Sequence, residues 1–181
     1  MQNFSLKFID VMVGVILGLG LQWWPALHGA WQYVAFIFAY LDTIDYWIDY
    51  GPSLKKFPPK REIDVFLDIF IIFSLFFYIY VTQLNSIAYF FVAFAVLSIL
   101  DYLWLLSSQK EYKPKGTDAT FVRSWMQINI VNALMALIGF FLAIIGAAAP
   151  IVLLVGFILL RIVTRIIPSM QYKKFHLSLR G

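Results

Sequence analysis

The segment DTIDYWID places Asp42, Asp45 and Asp49 at i, i+3 and i+7, so that in a helix the three carboxylates share one face. Oxygen ligands in that arrangement could hold a divalent cation. DVFLD adds a second pair, Asp64 and Asp68, and Asp10 and Asp101 stand alone in otherwise apolar surroundings. Other chemistry is poorly supplied. There is no cysteine, hence no thiolate ligand, thiol nucleophile or disulfide. His28 and His176 fall in separate links of the chain, so neither a histidine base with a partner nor a zinc site can be assembled from them.

These carboxylates sit in a chain built for lipid. Of 181 residues, 62% are hydrophobic and only 13% charged, against about a quarter charged in a soluble domain. Six apolar runs, at 8–27, 31–50, 63–81, 87–106, 122–145 and 151–167, reach or approach the roughly 17–25 helical residues needed to cross a hydrocarbon core. No period-two alternation marks a barrel strand, and backbone in lipid must bond within its own segment, so the runs predict helices. Without strands there is no place for a glycine-rich phosphate loop. The fold class expected is an all-α, polytopic membrane protein with six transmembrane helices forming a single domain over 1–181, with a basic cytoplasmic tail at 168–181. Asp10 and the lack of a small-residue cleavage pattern after the first run predict that this run is retained.

The links alternate in character. HGAW, TQLNS and GAAAP are short and uncharged, whereas GPSLKKFPPKRE and SSQKEYKPKGTDAT are longer and basic. All 14 Lys and Arg residues fall on one side of a six-helix drawing, which by the positive-inside rule puts both termini and the two longer links in the cytoplasm. The expected location is the cell membrane, crossed several times. The net charge of +4 follows from this topology and carries no nucleic-acid signature.

The acidic residues then all map to the cytoplasmic half. At 1.5 Å per residue Asp42 lies about 12 Å and Asp101 about 8 Å inside a helix end, deep enough to require a partner or water. Arg123, Arg161 and Arg165 lie at similar depth on the fifth and sixth helices. The charges either pair and pin the bundle or form a vestibule that concentrates cations. A third reading is a metal-dependent lipid enzyme. A phosphatidyltransferase-like site would carry Gly after the second Asp and an Ala-Arg pair; here Tyr46 follows Asp45 and no Ala-Arg occurs.

Two helices carry stripes of small and polar residues. On the fifth, Trp125, Asn129, Asn132, Ala136, Gly139, Ala143 and Gly146 make one continuous face suited to close helix packing. On the first, Asp10, Gly14, Gly18 and Gln22 recur every fourth residue, and Val11, Val15, Gly18 and Gln22 define an overlapping narrow face. Such a helix suits the pore of a symmetric oligomer, gated by an apolar ring.

Phe8-Ile9-Asp10 near the start of the first helix, Pro25 near its end and Tyr46-Trp47 late in the second resemble the prokaryotic relatives of the lysosomal potassium channel. That family carries Arg, four residues later Phe-Ser-Asp, and an aromatic-Trp pair followed by His. Here Phe4 stands at the Arg position, Ile9 at the Ser position, and the His is absent. The resemblance implies a tetrameric, potassium-preferring channel whose first helices line the pore, with monovalent cations as the permeating species and no cofactor. It implies an apolar constriction at Val15 and places Gly18 where the family has Thr. It also implies that Asp10 anchors the pore helix to its neighbours; Phe8, Trp47, Asp45, Trp125, Arg161 and Arg165 are the candidates for that network. The alternatives are a small membrane transporter, a scaffold for another membrane protein, or the lipid enzyme.

Overall fold

The computed structural model describes residues 2–178, with side chains described over 7–166. Phe4 and the basic groups of the tail, among them Lys173 and Lys174, lie outside the described side chains, and Arg180 outside the described residues altogether. Six α-helices follow in order: α1 (Gln2–Gly20), α2 (Ala30–Lys56), α3 (Glu62–Tyr80), α4 (Ile87–Tyr112), α5 (Thr117–Ile144) and α6 (Pro150–Ser178). Short 3₁₀ turns over Leu21–Ala26 and Val81–Gln83 extend α1 and α3. Among the described residues there is no strand.

Four stretches, Lys7–Ala26, Glu62–Gln83, Ile87–Tyr112 and Thr117–Ile144, are long and apolar enough to cross a membrane, so the chain is a multi-pass membrane protein. The two helices outside that set, α2 and α6, carry the Asp42, Asp45 and Asp49 row and the Arg161 and Arg165 pair.

The helices close into a ring in which α1 touches α3, α3 touches α4, α4 touches α5, α5 touches α6, α6 touches α2, and α2 returns to α1. Bulky side chains fill it. Phe157 of α6 meets Phe91 and Phe94 of α4 at ring-centroid distances of 5.4 and 4.8 Å, and Tyr78 of α3 lies 5.2 Å from Phe90. The two edge-on Phe157 contacts add to what burial of the rings contributes. The aromatic runs of α3 and α4 divide by face: Phe90, Phe91 and Phe94 are buried, whereas Phe66, Phe70, Phe73 and Phe77 point outward.

Several helices run further than the apolar runs predict, and the two basic links are correspondingly shorter. GPSLKK belongs to α2 despite Pro52. The Ser53 hydroxyl donates to the Asp49 carbonyl at 2.9 Å, and the Phe57 amide donates to the Ser53 carbonyl at 2.8 Å. Buried Tyr50 and Leu54 hold that turn to the bundle, and Lys55 and Lys56 complement the helix C-terminus. The first run departs the other way. It leaves α-helical geometry at Gly20 and tightens into a 3₁₀ turn that contains Pro25.

Each end of the bundle is tied by polar side chains. Gln32, only 4% exposed, accepts from the His28 and Gly29 amides at 2.8 Å and donates from Nε2 to the Leu84 carbonyl at 3.0 Å, joining the α1–α2 and α3–α4 links. At the opposite end Asp64 caps α3 by accepting from the Arg61 amide at 3.1 Å, Ser107 of α4 donates to the same carboxylate, and Arg61 pairs with Glu111. Tyr112 donates to the Pro58 carbonyl, and Lys60 lies 4.0 Å over the Tyr112 ring.

Gly139 marks a close approach between α4 and α5. A Cβ there would lie 2.8 Å from the Phe91 ring, and that ring is fully buried. Gly139→Ala is expected to destabilise the protein by about 1–3 kcal/mol through overpacking. Gly156→Ala, whose Cβ would meet open space, should leave stability unchanged or raise it by up to about 1 kcal/mol. Thermal unfolding in detergent distinguishes the two.

Candidate functional site

The carboxylates of DTIDYWID all turn toward α6. Arg161 and Arg165 are four residues apart and so lie one turn apart on a single face. Arg161 Nη2 donates to Asp42 Oδ1 at 3.1 Å. Arg165 makes a two-pronged contact with Asp45, Nε to Oδ2 at 2.5 Å and Nη2 to Oδ1 at 3.0 Å, and also bonds Asp49. Forked guanidinium–carboxylate contacts of this kind fix register as well as charge. The guanidinium of Arg165 also lies 5.1 Å over Trp125 of α5, and that of Arg161 lies 5.6 Å from the Phe94 ring.

A second polar layer adjoins the first. Asp101 of α4 accepts from Tyr46 Oη at 3.1 Å and from Asn129 Nδ2 at 2.5 Å. Asn132 accepts from Thr164 Oγ1 at 3.0 Å, and Tyr50 donates to Asp68 Oδ1 at 2.5 Å. Asn129 and Asn132 are buried, as a helix-packing stripe requires, and Ala136 and Gly139 continue it against α4 and α6. Gly146 is not part of that face. It follows α5 with φ of 64° and reverses the chain.

Between these layers lies a cleft of ≈ 660 Å³, part of it open to the outside. Asp42, Asp45, Asp49, Tyr46 and Tyr50 of α2, Asp101 and Trp104 of α4, Phe121, Trp125, Asn129 and Asn132 of α5, and both arginines of α6 line it. No described residue of α1 lines it. Arg123, at similar depth in the sequence, is exposed and does not line it.

The α1 residues form a different place. Asp10 accepts from Trp47 Nε1 at 2.9 Å, and not from Arg161 or Arg165, whose carboxylates are on α2. Phe8 packs against the core beside buried Ile9, Val13 and Ile16. On the other side of the helix Asp10, Gly14, Val15, Gly18 and Gln22 are exposed, and a Cβ on Gly14 or Gly18 would meet nothing within 4 Å. The candidates thus separate into an inner cluster of Asp45, Trp125, Arg161, Arg165, Asn129 and Asn132 and an outer α1 face whose carboxylate is bonded by Trp47.

The three aspartates do not converge as metal ligands. They are spent on guanidinium groups, and among the described residues no three His, Cys, Asp or Glu side chains gather as a metal site. Tyr46, Tyr50 and Thr164 are participants that residue type alone did not mark. The lone Asp101, and Asp68 of the DVFLD pair, both in apolar helices, were the signal that such donors had to exist.

No family model, no curated protein and no solved structure is similar to this chain.

The Asp42–Arg161 pair is largely buried, with side-chain exposures of 11% and 12%, and Arg161 Nε and Nη1 have no hydrogen-bond partner among the described residues. Arg161→Met is therefore expected to cost about 3–5 kcal/mol by leaving Asp42 unpaired. Adding Asp42→Leu should restore most of the loss, because the desolvated pair is replaced by apolar volume. Chemical denaturation of the two variants in detergent measures the difference.

Proposed function

We propose that this protein is an oligomeric, potassium-preferring cation channel of the cell membrane in which α1 lines the pore. The observation that carries the reading is the uncovered face of α1. Ile9, Val13 and Ile16 hold one side of the helix to the bundle. The other side presents a carboxylate, two open glycines and branched apolar residues, and the exposed Gln22 amide follows on the 3₁₀ turn. Lipid offers nothing to a glycine or an amide, whereas close approach to another copy of α1 uses both. In a closed ring of subunits, four by the resemblance, this side faces the axis, with Val15 at the constriction and Gly18 and Gln22 beyond it. The Trp47 bond holds the Asp10 end of each pore helix to α2.

Six spans with both termini cytoplasmic suit this assembly. The pairing of α2 with α6 lets two charged helices enter lipid together, since each carboxylate of the row meets a guanidinium inside the bundle. The links carrying Lys60 and Arg61, and Lys113 and Lys115, then lie on the inner side with Lys7.

The internal cleft supports a second reading, a small transporter, because it offers charged and amide groups to a solute at depth.

Liposomes containing the purified protein should release potassium in preference to sodium, and Val15→Ala should raise that flux several-fold. Cross-linking in detergent should stop at one defined oligomer. A clean monomer, or flux indifferent to Val15 in a protein shown to conduct, would overturn the channel reading.

A further inference from the structure

The cleft between α2, α4, α5 and α6 is not used by the pore proposed above, and its charges do not balance. Among the described residues, four carboxylates and two guanidinium groups line it, a formal excess of two negative charges. Arg161 takes Asp42, and Arg165 takes Asp45 and Asp49. Asp101 is left with neutral donors alone, the Tyr46 hydroxyl and the Asn129 amide, and among the described residues no Lys or Arg group lies within ion-pair distance of it. Both donors leave lone pairs on its oxygens free, since a carboxylate can accept about four hydrogen bonds.

The walls around that carboxylate are aromatic. Tyr46 stacks on its α2 neighbour Tyr50 at 5.0 Å, Tyr50 lies 5.3 Å from Trp104 of α4, and on the α5 wall of the same cleft Phe121 lies 6.3 Å from Trp125, one turn further along. Trp125 already carries the Arg165 cation over its ring. A carboxylate among ring faces, at depth in a low-dielectric bundle, is the chemistry that recognises an organic ammonium. A hydrated metal ion would lose water and gain only one unpaired carboxylate. A methylated ammonium has little water to lose and places its methyl groups on the rings.

We infer that the cleft is a binding site for a small organic ammonium ion, with Asp101 as counter-ion and Tyr46, Tyr50, Trp104 and Trp125 as the cage. The site lies within one chain and does not rest on the channel reading, since no described α1 residue lines it.

Choline is the probe. Equilibrium dialysis of radiolabelled choline against the purified full-length protein in detergent should show saturable binding that excess sodium does not displace. The uncharged analogue, in which carbon replaces the quaternary nitrogen, should compete at least about tenfold more weakly, the loss expected on removing a charged partner. Asp101→Asn keeps the shape of the side chain and should weaken choline by a similar factor, and Trp125→Leu by about threefold, as for one ring face. If Asp101→Asn does not fold, the comparison of choline with its analogue on the unaltered protein decides. Equal competition by the analogue, undiminished binding in folded Asp101→Asn, or no saturable choline binding by the folded protein overturns the site. None of these outcomes depends on whether potassium flux is observed, so failure here and failure of the channel reading are separate results.

Discussion

Two arginines on α6 meet three aspartates on α2, and the bundle is arranged around that contact. A carboxylate or guanidinium left unpaired inside an apolar helix bundle costs several kcal/mol, so the charges of each helix depend on those of the other. The spacing on each side, i, i+3, i+7 against i, i+4, lets Arg161 meet Asp42 while Arg165 spans Asp45 and Asp49. A shift of α6 by one residue would turn both guanidinium groups off that face. The contact therefore sets the register of the last helix against the second, across more than a hundred residues of chain, and closes the ring that α3, α4 and α5 complete.

Closing the ring has two consequences that pull apart. Inside, the paired charges need amides, hydroxyls and rings around them, and α4 and α5 supply these through Asp101, Asn129, Asn132 and Trp125; what cannot be filled by such side chains remains as the cleft. Outside, α1 is held by one apolar edge, by Trp47 and by the Tyr40 hydroxyl, which donates to the Leu17 carbonyl, while its described glycine face is left uncovered. The inner polar cluster and the outer glycine face are thus separate devices. Trp47 reaches outward to Asp10 from the same turns of α2 whose aspartates reach inward to α6, so a movement of α2 would be felt at both.

The links are short because the helices consume their flanks. Residues that look like linker, Gly51-Pro52 above all, remain helical when buried neighbours on the same turn reward the extension. The polar ties through Gln32 at one end and through Asp64, Ser107 and Arg61 at the other then hold neighbouring links together, which limits how far the helices can splay.

Much of this was legible in the residues. Long apolar runs without period-two alternation must be helical in lipid, because no other open structure satisfies their backbone. The 3–4 spacing of Asp42, Asp45 and Asp49 determined that they act from one face, and the 4–3 spacing of Asn129, Asn132, Ala136 and Gly139 determined a packing surface, since side-chain direction in a helix follows from position alone. Partners were not legible. That Arg161 and Arg165 serve α2 and leave Asp10 to Trp47, that Asp101 meets Asn129 and Tyr46, and that Gly139 abuts Phe91 while Gly14 and Gly18 abut nothing are decided by which helices become neighbours and at what register. Those depend on the summed fit of six surfaces, and local spacing carries only one surface at a time.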